Sequence, residues 1–201
     1  MKPILFSKGS LSKALLPAAV AGLLLTHHSA PAQSQLCPDT NGVKWAQPPQ
    51  LDGGWDVKDS RNSIVLADDF PCTTTGPITE LHIWGSWLND FHGVITNFWL
   101  GIYDDVPGVT NLTSGIVTPS HPGTNLLWQQ SFLPTQFAEN PYKPAAEQFY
   151  DPTTQSFIGT DSYAWYYCFY PTNPFVQQGQ PNRPTNYWLA ARAQLAADNS
   201  C

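Results

Sequence analysis

Glycine and proline break this chain every ten or so residues, and the stretches between are rich in valine, isoleucine, threonine and aromatic residues. Short runs bounded by turn formers suit β-strands, and the alternation within them agrees. In 78–88, Leu81, Ile83 and Trp87 fall on one face and His82, Trp84 and Ser86 on the other, the two-residue period of a strand. The stretches 63–70, 97–103, 126–132, 163–170 and 185–195 read the same way. In 97–103, Phe98, Leu100 and Ile102 oppose Trp99, Gly101 and Tyr103; in 185–195, Tyr187, Leu189 and Ala191 oppose Trp188 and Arg192. The joins at 71–77, 104–108, 119–123, 171–174 and 179–184 carry turn chemistry. Helix signals are weak: 144–149 suggests one short turn, and the alanines of 189–197 would suit a helix, but the alternation with Tyr187-Trp188 favours strand there. The pattern predicts an all-β chain folded as an antiparallel β-sandwich of jelly-roll type.

With 201 residues the chain has the length of one domain. Aliphatic residues are scarce for a core, and the eight Trp and eight Tyr make up the shortfall, since each aromatic buries roughly 150–250 Å². All sixteen lie beyond residue 32. Before that point Lys2, Lys8 and Lys13 precede an apolar run over 14–25 and an Ala30-Pro31-Ala32 site, the layout of a secretory leader. The run is too short to span a bilayer, which needs about 20 residues. Residues 1–32 are therefore expected to be a cleaved signal peptide, leaving 33–201 as a single secreted domain starting at Gln33. It keeps all 15 acids and six of the nine bases, a net charge of −9. Such a chain is a poor partner for nucleic acid or anionic membrane, which demand clustered Lys and Arg. No second apolar stretch predicts a membrane span after cleavage.

Four cysteines, Cys37, Cys72, Cys168 and Cys201, suit an oxidising compartment, extracellular, periplasmic or at the cell surface. Two disulfides are expected. Three pairings are open, with a slight preference for the nested Cys37–Cys201 and Cys72–Cys168. No C-x₂₋₄-C spacing supports a zinc site.

Three strings stand out in order: Leu66-Ala67-Asp68-Asp69-Phe70, His82-Ile83-Trp84-Gly85-Ser86-Trp87, and Tyr187-Trp188-Leu189. With the Trp45-Ala46-Gln47-Pro48-Pro49 entry they resemble a family of uncharacterised secreted bacterial domains, over most of 45–193. The resemblance implies a β-sandwich and carries no established activity or site residues.

Candidate chemistry is sparse. Asp69 and Glu80 are the best carboxylate pair for glycoside hydrolysis, which needs two carboxyls about 5–9.5 Å apart. Asp68 and Asp69, adjacent in a strand, point to opposite faces and cannot both serve one site. Asp104 and Asp105 could offer oxygens to calcium, the one cofactor considered, although no EF-hand spacing is present. His82, His92 and His121 match no helical metal motif. No nucleophile elbow, phosphate loop or dinucleotide fingerprint occurs. The aromatics remain: Trp84, Trp99, Tyr103 and Trp188 are the candidate ligand contacts, because rows of Trp and Tyr stack against the apolar faces of sugars. The expected function is a non-catalytic module binding polysaccharide or cell-surface glycan. The alternatives are a carboxylate-dependent glycoside-active enzyme and a structural cell-surface protein. Oligomeric state is not legible.

Overall fold

The computed structural model describes residues 2–7, the backbone alone there, together with 42–59 and 64–196. Fourteen strands are β1 (Lys2–Ser7), β2 (Trp45–Ala46), β3 (Asp52–Val57), β4 (Leu66–Cys72), β5 (Gly76–Ile78), β6 (Glu80–Ser86), β7 (Ile95–Val106), β8 (Val109–Thr110), β9 (Val117–Thr118), β10 (His121–Phe132), β11 (Phe137–Asp151), β12 (Ser156–Phe169), β13 (Phe175–Gln177) and β14 (Thr185–Leu195). Among the described residues a single 3₁₀ turn, Leu88–Asp90, follows β6.

Two sheets form the body. A six-stranded sheet runs β2-β1-β6-β12-β11-β3 and a four-stranded sheet runs β10-β7-β14-β4, with small pairs β13-β5 and β8-β9 at the margins. The chain crosses between the large sheets repeatedly, as a jelly-roll-like sandwich requires; among the described residues only β1–β2, β7–β10 and β11–β12 join neighbours of one large sheet in succession. All pairings are antiparallel except β3 with β11, where Gln148, Phe149 and Tyr150 align in parallel with Trp55, Asp56 and Val57. Lys58 Nζ meets Asp151 Oδ2 at 3.0 Å and fixes the end of that pair. β1, within the expected leader, lies between β2 and β6 and pairs with both. The rest of that leader, with its cleavage site, lies outside the described residues.

The alternation read from the sequence places the core. Leu81 and Ile83 of β6 and Tyr167 and Phe169 of β12 face Phe98, Leu100 and Ile102 of β7, Phe70 of β4, Phe132 of β10, and Tyr187, Leu189 and Ala191 of β14 in one cluster. Aromatic rings bind the layers: Phe98 and Phe132 each meet Phe169 at about right angles or in a tilted edge contact, with centroids 5.0 and 5.1 Å apart. Truncating a fully buried member of this cluster such as Leu100, Ile102, Phe98 or Phe169 to alanine costs roughly 2–5 kcal/mol.

Two expectations are corrected. The turn expected at 144–149 is extended strand, part of the 15-residue β11. Pro141 and Pro144 precede Ala146, where pairing with β3 begins, so they lie in a stretch of β11 that is an edge on that side, where proline is tolerated. The Cys72–Cys168 bridge is also overturned, because Cys72 is a free, buried thiol whose pKa burial pushes up to about 12. Cys72 faces the inter-sheet core, whereas Cys168 packs with Trp84 and Tyr166 on the far side of the six-stranded sheet. Cys37 and Cys201 lie outside the described residues.

Candidate functional site

The outer face of the four-stranded sheet gathers three of the four expected ligand aromatics. Register places Leu126, Tyr103, Trp188 and Asp69 in one row across β10, β7, β14 and β4. Two residues along β7, β14 and β4, about 6.6 Å, the next row is small: Gly101, Ala190 and Ala67, with Gln129 of β10 at its end after a bulge between Leu126 and Trp128. The third row sets Ser131 beside Trp99 and Arg192. Trp99 lies over the small row, because a Cβ on Gly101 would stand 2.5 Å from its Cη2 atom. Glycine is required there for the indole to lie down on the sheet.

Polar neighbours hold these rings. Trp188 Nε1–H donates to Asp105 Oδ1 at 2.8 Å, Trp99 Nε1–H donates to Gln129 Oε1 at 2.9 Å, and the Arg192 guanidinium sits 5.8 Å from the Trp99 ring centroid. Asn186 donates to Asp69 Oδ2 at 2.8 Å. All three aromatics are partly exposed. The result is a half-open aromatic surface edged by carboxylates, carboxamides and one guanidinium, with its rotamers set in advance.

The other expected residues lie elsewhere. Trp84 is buried on the far side of the six-stranded sheet, 5.0 Å from the Tyr166 ring and 5.9 Å from Tyr142. Glu80 and His82 share its side. His82 Nε2–H donates to Glu80 Oε1 at 2.5 Å, and the Tyr166 hydroxyl donates to Nδ1. Burial raises the Tyr170 hydroxyl pKa to about 12, with the Glu80 carboxylate adding to the shift. Glu80 is thus held in a buried hydrogen-bonded chain, and Asp69 looks outward from the opposite sheet; the fold does not bring this pair together. Asp68, turned away from Asp69, has its carboxyl raised by burial. Asp104 accepts from the backbone and side chain of Asn125, at 3.2 and 2.6 Å, and Asp105 is engaged by Trp188. His92 meets Glu139 at 2.9 Å, while His121 ends in an exposed contact with Pro119.

Two features escape sequence reading. On the outer side of the six-stranded sheet, Trp55, Tyr150 and Phe157 form an aromatic trio, with Trp55 60% exposed and centroids 6.1 and 4.8 Å from its two partners. On the inner side of the same strands, Asp56, Glu147 and Asp161 are all buried, and one carboxylate oxygen from each lies within 4.8 Å of the others. Glu147 and Asp161 stand directly opposite in register, and Asp56 comes from β3 beside Phe149. Like charges that close repel by about 3–4 kcal/mol per pair at an effective dielectric near 20. The sequence signal lay in the inward parity that Glu147 shares with Ala145 and Phe149. Asp56 also lines a cavity of about 90 Å³ together with Asp59, Ser86, Trp87, Ile95 and Leu195. Asp59 accepts from the Ala193 N–H, and burial drives its carboxyl pKa up to about 6.

An all-β sandwich with an aromatic outer face and an acid-lined interior end is the class of protein these features define. The chain belongs to a family described as a domain of unknown function (DUF7901), whose model matches residues 43–200. No curated protein and no solved structure matches it.

Proposed function

We propose that the outer face of the four-stranded sheet binds a polysaccharide or cell-surface glycan without cleaving it. The observation that carries this reading is the convergence of Trp99, Tyr103 and Trp188, from two strands, on one partly exposed face. Sugar rings present C–H faces that stack on indole and phenol rings, while hydroxyls pair with Asp69, Asp105, Gln129 and Arg192 at the margins. The two indoles, already pinned by hydrogen bonds, lose little freedom on binding. The hydrolytic alternative loses support because Asp69 and Glu80 sit on opposite sides of the sandwich.

The same reading places the domain outside the cytoplasm. It takes 1–32 as a removed leader and Cys168 as disulfide-bonded to one of the two cysteines outside the described residues. N-terminal sequencing of the exported protein is expected to begin at Gln33, and non-reducing peptide maps to link Cys168 to Cys37 or Cys201. A map with four free thiols would remove that part.

The central test is a panel of insoluble and soluble polysaccharides, read by pull-down and by tryptophan fluorescence. Binding is expected for at least one glycan, lost in Trp188→Ala and Tyr103→Ala, with no release of reducing sugar. Retention of none of the panel would overturn the proposal, as would binding unaffected by both substitutions.

A further inference from the structure

We propose that Asp56, Glu147 and Asp161 form a site for a hard divalent cation, calcium above all. The site is separate from the aromatic face and does not depend on glycan binding. Its donors are all carboxylate oxygens, which suit calcium or magnesium and offer nothing to a thiolate- or imidazole-seeking metal. Calcium–oxygen distances run 2.3–2.6 Å, so two ligands of one ion stand at most about 5.2 Å apart. The three chosen oxygens meet that limit. Magnesium, with its shorter bonds and strict octahedron, fits such a spread less well.

The arrangement is built by three neighbouring strands. Glu147 and Asp161 form a directly opposed cross-strand pair, a placement that like charges disfavour in a sheet. The parallel pairing of β3 with β11 brings Asp56 in from the side. A glycine lies against the Glu147 carboxylate, since a Cβ on Gly54 would stand 2.6 Å from Glu147 Oε1.

A second observation comes from the cavity that Asp56 lines. Trp87, 3% exposed, lines the same cavity, and its indole N–H is buried without an acceptor; the Ser86 hydroxyl there is likewise buried without a partner. Buried donors of this kind are met by ordered water or a ligand oxygen. Calcium takes six to eight oxygens, more than three carboxylates supply if each binds through one atom. Waters in the cavity that Asp56 lines would complete the shell and accept from Trp87.

The test uses the full chain stripped with chelator. Calcium is expected to raise the melting temperature by roughly 5 °C or more at saturating concentration, and terbium to bind with tryptophan-sensitised luminescence that calcium displaces. Asp161→Asn and Glu147→Gln should abolish the calcium shift. In chelator, both variants should melt at or above the unsubstituted protein, because each removes one of three repelling charges. A carboxylate that serves only packing or hydrogen bonding would lower melting equally with and without calcium, and that result overturns the site. So does the absence of both a calcium shift and terbium luminescence in the unsubstituted chain, a readout that stands even if a variant fails to fold.

Discussion

Two outer faces, one on each sheet, carry the same kinds of side chain and have different surroundings. On the six-stranded sheet, Glu80, His82, Trp84 and Tyr166 form a closed hydrogen-bonded and aromatic cluster with exposures below a tenth. On the four-stranded sheet, Asp69, Trp99, Tyr103, Trp188 and Arg192 form a comparable mixture that stays partly open. Residue type and alternation are alike. The difference lies in coverage, so an aromatic at an outward parity becomes packing in one case and a candidate ligand surface in the other.

The largest expected contrast is in stability. Trp84→Ala should lose about 3–5 kcal/mol in urea unfolding, as large aromatic truncations in a packed site do. Trp188→Ala, at a half-open position, should lose no more than about 1.5 kcal/mol. Equal losses would erase the distinction between the faces. Next comes pH. Burial pushes the Asp59 carboxyl from its ordinary value of 3.8 to about 6, so between those values the folded protein holds a proton that the unfolded chain has released. Stability from this group is fully present below about pH 4 and falls as pH rises through 6, by up to about 3 kcal/mol. Asp59→Asn, compared with the unsubstituted chain in chelator, should flatten that slope; parallel curves would refute the assignment.

A smaller effect belongs to the open face. Tyr103→Ala, Trp188→Ala and Gly101→Ala should each weaken glycan binding about tenfold or more, a loss of at least ~1.4 kcal/mol. The glycine acts through the displaced Trp99 ring and should leave the core melting nearly unchanged. Isothermal titration with whichever glycan the panel selects provides the measure. Smallest in energy is Cys72, whose buried thiol should resist a thiol reagent in the native state and react once the chain is denatured. Rapid native labelling at Cys72 would show that the inter-sheet core opens there.

How much of this could be read in advance depends on separation along the chain. The stretch 185–195 coincides with β14, and 97–103 falls inside β7, because their alternation is local and unbroken. β3 and β11 were illegible for the opposite reason: Gly53, Gly54, Pro141 and Pro144 carry turn signals, and those strands form only because distant neighbours supply their pairing. The aromatic row on the four-stranded sheet was half legible. Parity showed that Trp99 and Tyr103 share a side, while their meeting with Trp188 needed the register between β7 and β14. Asp69 and Glu80 looked paired because they are close in sequence, and a sandwich sends consecutive strands to opposite sheets. The acidic trio was invisible for the converse reason, its members being remote in sequence and close in space.

That remoteness bears on the order of folding. Asp56 and Glu147 lie about 90 residues apart, and the parallel pairing that joins them closes the long loop between β3 and β11. Loop closure of this length is entropically unfavourable and slow relative to a hairpin such as β11–β12, so the β3 strand docks late. Glu147 and Asp161 can meet as soon as the hairpin forms, and their repulsion opposes that early step. The full trio exists only after the final strand arrives, and an ion held there would act as a clasp, bridging the earliest and the latest pairings of the sheet.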